Sequence, residues 1–95
     1  MIEIKNADIV ITPGCESRHV LSHESWPRLE EQTPVILIAN QICLRVPAYC
    51  EGKTVVVELN AMDTCVPPAA TAYAVTGFFD GQPVRLAQGF IRRKN

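Results

Sequence analysis

Cysteine and histidine are the side chains of this sequence best suited to chemistry, because thiolates and imidazoles bind zinc and serve as nucleophiles and bases. Four cysteines, at positions 15, 43, 50 and 65, are spaced 28, 7 and 15 residues apart. Zinc sites in small domains usually present their ligands in close pairs such as C-x-x-C, which this spacing does not provide. His19 and His23 stand four residues apart and would share a face only on a helix. We therefore expect neither a metal site nor a cofactor.

Nucleophilic catalysis needs a cysteine or serine with a base held beside it. Cys15 near His19 and Ser22 near His23 are the available pairs, and neither lies in a recognisable nucleophile elbow or at a clear helix N-terminus. The five glycines form no phosphate-binding array. The sequence thus predicts no catalytic residues and a protein that is not an enzyme, with a thiol- or metal-dependent enzyme as the less favoured alternative.

The segment CLRVPAYC, residues 43–50, raises the question of a disulfide. Cys43 and Cys50 could bond only if they met across facing strands. We predict Cys43 inside a strand, a turn over residues 47–53, and Cys50 in or beside that turn, so the registers match poorly. We therefore expect two thiols rather than a disulfide.

Charge and hydropathy exclude several kinds of partner. Lys and Arg total 9 against 10 Asp and Glu, so the formal net charge of −1 provides no general attraction for nucleic acid or an anionic membrane. No apolar run has the length of a signal peptide or a transmembrane span. We expect one domain over residues 1–95 that stays in the compartment where it is made, with no nucleic acid and no membrane as partner.

The first residues alternate apolar and polar side chains, as half-buried strands do. Ile2 and Ile4, then Ile9 and Ile11, sit among polar neighbours, which predicts a strand that is broken or bent near Asn6.

Residues 16–33 are rich in charged side chains, and their apolar residues do not recur with the period of two that a strand would show. Residues 19–21 could form a short strand, and we predict at most one short helix, around residues 22–32. Trp26 in this stretch is either an exposed anchor or a core residue.

Residues 34–46 predict a core strand, or two short strands hinged at Asn40. The even-numbered side chains, which would share one face of the strand, are almost all apolar and are assigned to the core. They are Ile36, Ile38, Ile42, Leu44 and Val46. The other parity begins with Val35, Leu37 and Ala39 and becomes polar toward its end.

The later segments contain the clearest strand signals. TVVVEL at 54–59 is rich in β-branched residues. Asp80-Gly81 separates two strand-like runs and is the strongest short-range hairpin signal, because both turn residues must tolerate positive φ. In the second run Val84, Leu86 and Phe90 share a parity. Short strands joined by turns predict a small β-sandwich or barrel.

Three segments match a family pattern. A proline-led strand ends in Leu-Arg-Val; its matching residues are Pro34, Val35, Leu37, Ala39, Ile42, Leu44, Arg45 and Val46. A tyrosine-led strand reaches an Asp-Gly turn and returns; its matching residues are Tyr73, Val75, Asp80, Gly81, Val84, Leu86, Gly89 and Ile91. With the opening DIVITPG, these segments resemble the immunoglobulin-like domain at the N-terminus of phage upper-baseplate and tail-fibre proteins.

The resemblance implies a small immunoglobulin-like β-sandwich of about six or seven strands. It also implies a virion structural protein, a tail, baseplate or head–tail component, made in the bacterial cytoplasm and then built into the virion. Its partners would be other virion proteins and copies of itself. We place the interface on the row Val35, Leu37 and Ala39 with Trp26, because the strand is apolar on both faces. The alternative is a small cytosolic regulator or inhibitor that docks on a host or phage protein through the acidic stretch 23–31.

Overall fold

The computed structural model describes residues 2–27, 35–40 and 43–94. These residues form eight strands and one short 3₁₀ helix, and the predicted all-β fold is confirmed. The strands are β1 Lys5–Asn6, β2 Ile9–Ile11, β3 Ser17–Ser22, β4 Val35–Ala39, β5 Leu44–Glu51, β6 Thr54–Leu59, β7 Thr71–Phe79 and β8 Gln82–Arg93, and the 3₁₀ helix is Asp63–Cys65. The predicted break in the first strand lies between β1 and β2. Of the helix predicted around residues 22–32, residues 22–27 form a strand end and a turn, and 28–32 lie outside the described residues.

The strands form one curled sheet that folds into two layers. The larger layer has β1 and β2 beside β8, followed by β7, β4 and the first part of β5. The smaller layer contains the end of β5, then β6 and β3. The orders β4-β7-β8 and β3-β6-β5 are those of an immunoglobulin-like sandwich, with β1 and β2 parallel to the last strand.

The two layers enclose a single apolar core. Leu37 and Val75 from the larger layer join Val55 and Val57 from the smaller layer in one buried cluster. In most of the strands alternate residues face this core. The exceptions are β6, in which Val55, Val56 and Val57 are all buried, and β8, which contains a bulge.

A turn between β4 and β5 decides which side chains of these strands are buried. Asn40 has a positive φ of 46°, and its carbonyl oxygen accepts a hydrogen bond of 2.8 Å from the Cys43 N–H. The prediction of two short strands hinged at Asn40 is therefore confirmed. Across the turn the buried parity changes from odd to even: Leu37 is buried in β4, and Leu44 in β5.

The turn predicted over residues 47–53 is wrong, because β5 continues to Glu51. Pro47 pairs with Ile36 of β4, and among the described strands none pairs with the other side of β5 at this position, because β6 begins its pairing at Tyr49. Proline is tolerated in such an edge strand. The turn to β6 occurs instead at Gly52, whose φ is 63°, and Lys53.

The hairpin predicted at Asp80-Gly81 is confirmed, with β7 and β8 paired across it and φ values of 50° and 79° at the two turn residues. A β-bulge interrupts the pairing: Val75 pairs with Ala87 and Thr76 pairs with Arg85. The extra residue is Leu86, and both Leu86 and Ala87 are fully buried. Before the bulge the even-numbered side chains of β8 face the core, and after it the odd-numbered side chains do. The prediction that Val84, Leu86 and Phe90 share one face is therefore wrong for Phe90, which points outward.

Candidate interaction surface

The side chains predicted to form an interface lie inside the molecule. Val35, Leu37, Ala39 and Trp26 all belong to the buried core cluster, and Leu37 is 0% exposed. Their assignment to an outer surface is wrong. For the three residues of β4 the reason is the turn at Asn40, which directs the odd-numbered residues of this strand toward the core. The half-buried Ile36 and Ile38 face the opposite way.

Trp26 anchors the N-terminal segment to the core. Its indole ring is 1% exposed, and Nε1 donates a hydrogen bond of 2.9 Å to the carbonyl oxygen of Glu3. The Glu3 N–H in turn donates to Ser25 Oγ at 2.8 Å. Of the two alternatives for Trp26, the core residue is confirmed.

The two histidines have separate surroundings. His19 Nε2 lies 2.9 Å from Ser17 Oγ on β3, and burial lowers the pKa of this imidazole. His23 Nδ1 accepts a hydrogen bond of 3.0 Å from the Ser25 N–H, and its Nε2 lies 3.5 Å from Glu3 Oε2. These hydrogen bonds engage neither of the nucleophiles considered in the sequence, Cys15 and Ser22.

The structure separates the two cysteines of CLRVPAYC. Cys43 lies just before β5 and Cys50 near its far end, with about seven residues of extended chain, roughly 23 Å, between them. A disulfide between them is therefore impossible in this fold. Cys50 is buried, and burial raises the pKa of its thiol.

Three cysteines instead adjoin the loop around the 3₁₀ helix. Thr64 Oγ1 lies 3.0 Å from the carbonyl oxygen of Cys15 and accepts a hydrogen bond of 3.1 Å from the Gly14 N–H. Cys65 is the next residue, and Cys43 Sγ lies 3.7 Å from the carbonyl oxygen of Val66. Across the described ranges no group of three or more His, Cys, Asp or Glu side chains is arranged to hold a metal ion.

The outer face of the larger layer contains an open groove with a volume of about 530 Å³. Its lining residues come from β1, β4, β7 and β8 and from the connections next to them; they are Asn6, Ile38, Asn40, Ala72, Tyr73, Ala74, Thr76, Arg85, Gln88, Gly89 and Phe90. We call this feature the outer groove.

Strand register explains why a groove forms there. In one row across the layer Ile38 pairs with Ala74 and Ala74 pairs with Gln88, while in the next row Ala72 pairs with Phe90. The small alanines of β7 form the floor, and larger side chains of β4 and β8 form the two walls. The groove therefore runs along β7.

A chain of polar side chains crosses one wall. Arg85 Nη1 donates to Gln88 Oε1 at 3.1 Å, and Gln88 Nε2 donates to Asn6 Oδ1 at 3.2 Å. This network joins β8 to β1 and holds the guanidinium of Arg85 beside the groove.

A second polar contact fixes the rim near Phe90. The carboxylate of Asp8 accepts a hydrogen bond from Arg92 Nε at 2.8 Å and another from the Phe90 N–H at 3.2 Å. The hydrogen bond from Arg92 makes the largest contribution to lowering the pKa of Asp8, and the hydrogen bond from the Phe90 N–H lowers it further. The Arg92 guanidinium lies 5.8 Å from the centroid of the Phe90 ring, which is 45% exposed.

The side chains that line the outer groove are either positively charged or uncharged. None of its lining residues carries a carboxylate, and within the described part of the chain no ion pair engages Arg85. Arg45 on β5 pairs with Ile38, the wall residue that pairs with Ala74 on the other side. Arg45 therefore adds a second positive charge beside the groove.

A second concavity of similar volume lies at the edge of β3 and β6 and has the opposite charge character. Glu16, Glu58 and Asp63 contribute to its lining. Glu58 is already engaged by Arg18, with 3.7 Å between Arg18 Nε and Glu58 Oε1. Asp63 accepts a hydrogen bond of 3.0 Å from the Asn60 N–H. Local contacts therefore account for two of these three carboxylates.

Sequence reasoning missed the outer groove for an identifiable reason. The alternating alanines Ala72 and Ala74 were visible as a row of small side chains on β7. Phe90 reaches the same surface only because of the bulge at Leu86, and Ile38 only because of the turn at Asn40.

No protein-family model matches this chain, and no curated protein matches it. Within residues 2–27, 35–40 and 43–94, no helix is long and apolar enough to cross a lipid bilayer.

Proposed function

We propose that this chain is a non-enzymatic module for protein–protein contact that binds its partner through the outer groove. The observation that supports this most is a sheet face with a groove of about 530 Å³ whose floor is alanine and whose walls carry Ile38, Phe90 and Arg85. Recognition surfaces in proteins typically combine apolar and aromatic contact area with a few fixed polar groups.

The setting that we propose is a phage or prophage virion, in which the protein would be a tail, baseplate or head–tail component. The resemblance of the 34–46 strand, the closing hairpin and DIVITPG to the immunoglobulin-like domain of phage baseplate proteins supports this setting. The two-layer strand order agrees with that resemblance without establishing it, since one sandwich fold serves many functions.

A genetic complementation experiment tests both parts of the proposal. A phage that lacks this gene would be supplied with the wild-type chain or with Ala74→Arg, which places a long charged side chain on the groove floor. The matched control is Ser22→Arg, on an exposed position of β3 in the other layer. Infectious particles would be counted, and the chain would be sought in purified particles by mass spectrometry.

We expect the wild type and Ser22→Arg to be incorporated and to restore infectivity, and Ala74→Arg to do neither while keeping a cooperative unfolding transition. Wild-type protein that is absent from particles but copurifies with a cytoplasmic protein would contradict the virion setting and favour the regulator. Full incorporation of Ala74→Arg would contradict the assignment of the contact to the outer groove.

A further inference from the structure

We infer that the outer groove binds an extended acidic segment of a partner protein, with an apolar side chain on the alanine floor and a carboxylate two positions away paired with Arg85. This inference rests on the proposed function, because it specifies the partner of the same surface.

The shape of the groove favours an extended chain. The floor positions Ala72, Ala74 and Thr76 follow one another on β7 at every second residue, which gives a floor about 13 Å long. An extended segment has the same spacing, so its alternate side chains can point down at successive floor positions. A helix, which is about 10 Å wide with its side chains, would fit poorly on a floor that is one strand wide.

The floor position at Ala74 provides the apolar subsite. It is flanked by Ile38 on β4 and by the exposed ring of Phe90 on β8, in the next row. An aliphatic or aromatic side chain placed there would cover part of both walls and remove their apolar surface from water.

The next row supplies the charge. Thr76 pairs with Arg85, so the backbone of Arg85 lies one pair of positions along the groove from the backbone of Ala74, about 7 Å away. The guanidinium of Arg85 reaches from there toward Gln88, which pairs with Ala74. Its hydrogen bond to Gln88 uses Nη1, and its other N–H groups remain suited to a planar carboxylate. The predicted motif is therefore an apolar residue, any residue, and then Asp or Glu, in either chain direction.

Charge also disfavours a symmetric contact between two copies of this face. An isologous pair brings the same side chains of both copies together. Arg85 and Arg45 would then approach positive charges of the second copy, and the groove lining contains no carboxylate to neutralise them. A partner of opposite charge is the electrostatically complementary occupant.

Selection from a random heptapeptide library displayed on phage tests the inference without knowledge of the natural partner. The targets are the folded wild type, Arg85→Gln, and Arg93→Gln as a control that removes the same charge from an exposed position near the end of β8. Ala74→Glu and Thr76→Glu each fill the groove floor and repel a carboxylate, and each variant is first checked for a cooperative unfolding transition.

We expect peptides selected on the wild type and on Arg93→Gln to contain the apolar-x-acid motif. The best of them should bind Arg85→Gln roughly tenfold more weakly or worse and should not bind the blocked variants. The amide resonances of Ala72, Ala74 and Gln88 should shift on binding. Peptides without a carboxylate, equal binding to Arg85→Gln, or no enrichment that depends on the groove would overturn the inference.

The complementation experiment separates this inference from the proposed function. If Arg85→Gln restores infectivity fully while Ala74→Arg does not, the groove contacts a virion protein but the acidic segment is wrong. If Ala74→Arg restores infectivity while the library yields the motif, the groove binds acidic segments and the proposed function is wrong.

Discussion

The hydroxyl of Tyr73, in the middle of the larger layer, donates a hydrogen bond to the main-chain carbonyl of Ala7, between β1 and β2. The Ala7 N–H donates in turn to the carbonyl oxygen of Gln88 at 3.1 Å. The tyrosine ring is buried, and burial raises the pKa of its hydroxyl to about 12. One core side chain therefore secures the N-terminal segment that forms part of the wall of the outer groove.

Tyr73→Phe should lower the free energy of unfolding by about 1 to 2 kcal/mol, because the ring remains packed while a partly buried carbonyl loses its donor. Urea denaturation measures this difference. The control is Tyr49→Phe, on an exposed tyrosine whose hydroxyl bonds Glu58, and it should change the free energy of unfolding by less than half as much. Equal effects of the two substitutions would show that the Ala7 contact contributes little.

Gly89→Ala should be more disruptive, because a Cβ at this position would overlap the Ala7 carbonyl oxygen and lie 3.2 Å from the Tyr73 ring. We expect a loss of about 3 kcal/mol together with faster amide hydrogen exchange in β2, since the backbone of the N-terminal segment must move. Gly77→Ala is the control: its Cβ would come closest to the end of the Phe79 ring, at 3.0 Å, and a side chain can shift. If Gly77→Ala destabilised the protein more than Gly89→Ala, the packing of the N-terminal segment against β8 would be wrong.

Asp8 should make the stability of the protein depend on pH at acidic values. Its pKa is lower in the folded protein than in the unfolded chain, so it stabilises the fold fully above the ordinary aspartate value of about 3.9. That contribution disappears as the pH falls through the lowered pKa of the folded state. Asp8→Asn should therefore be less stable than the wild type at neutral pH, and the difference should shrink toward acid.

Thermal unfolding at a series of pH values, with an NMR titration of the Asp8 carboxyl, measures this effect. Asp80→Asn removes the same charge from a hairpin turn position, where asparagine tolerates the φ of 50°. A stability difference for Asp8→Asn that stayed constant through the acidic range would contradict a role for the ionised carboxylate.

The four thiols should react at different rates with a small disulfide reagent. Cys15 and Cys65 are exposed, whereas Cys50 is buried and its pKa is raised by that burial. Since the thiolate is the reacting form, Cys15 and Cys65 should be modified first and Cys50 only as the protein opens. Mass spectrometry of digested protein after timed quenching identifies each site, and concentrated guanidinium chloride equalises the rates as a control. Early labelling of Cys50 would contradict its position in β5.

The contrast between confirmed and failed predictions follows from what local sequence encodes. Asp80-Gly81 predicts its hairpin because the turn chemistry lies within those two residues. The face of β4 was not encoded in the same way, because Val35 and Leu37 are as apolar as Ile36 and Ile38. Which parity is buried depends on the number of residues in the turn after Asn40 and on pairing with β7, both of which are tertiary facts. The orientation of Phe90 likewise depends on the bulge in β8, and a bulge is defined only by how β8 pairs with β7.

Leu37 and its neighbour Ile38 provide the most direct test of the orientation of β4. Leu37 is fully buried between the layers, so Leu37→Ala should lower the free energy of unfolding by about 2 to 5 kcal/mol through lost burial and a cavity. Leu37→Asp should prevent stable folding, because it would place an unpaired charge in the core. Ile38 is half-buried on the wall of the outer groove, where Ile38→Ala should cost about 1 kcal/mol and weaken partner binding. Urea denaturation of the three variants measures these differences and so tests the orientation of β4. If Ile38→Ala destabilised the protein more than Leu37→Ala, the even-numbered side chains of β4 would face the core. The outer groove would then lose one of its walls.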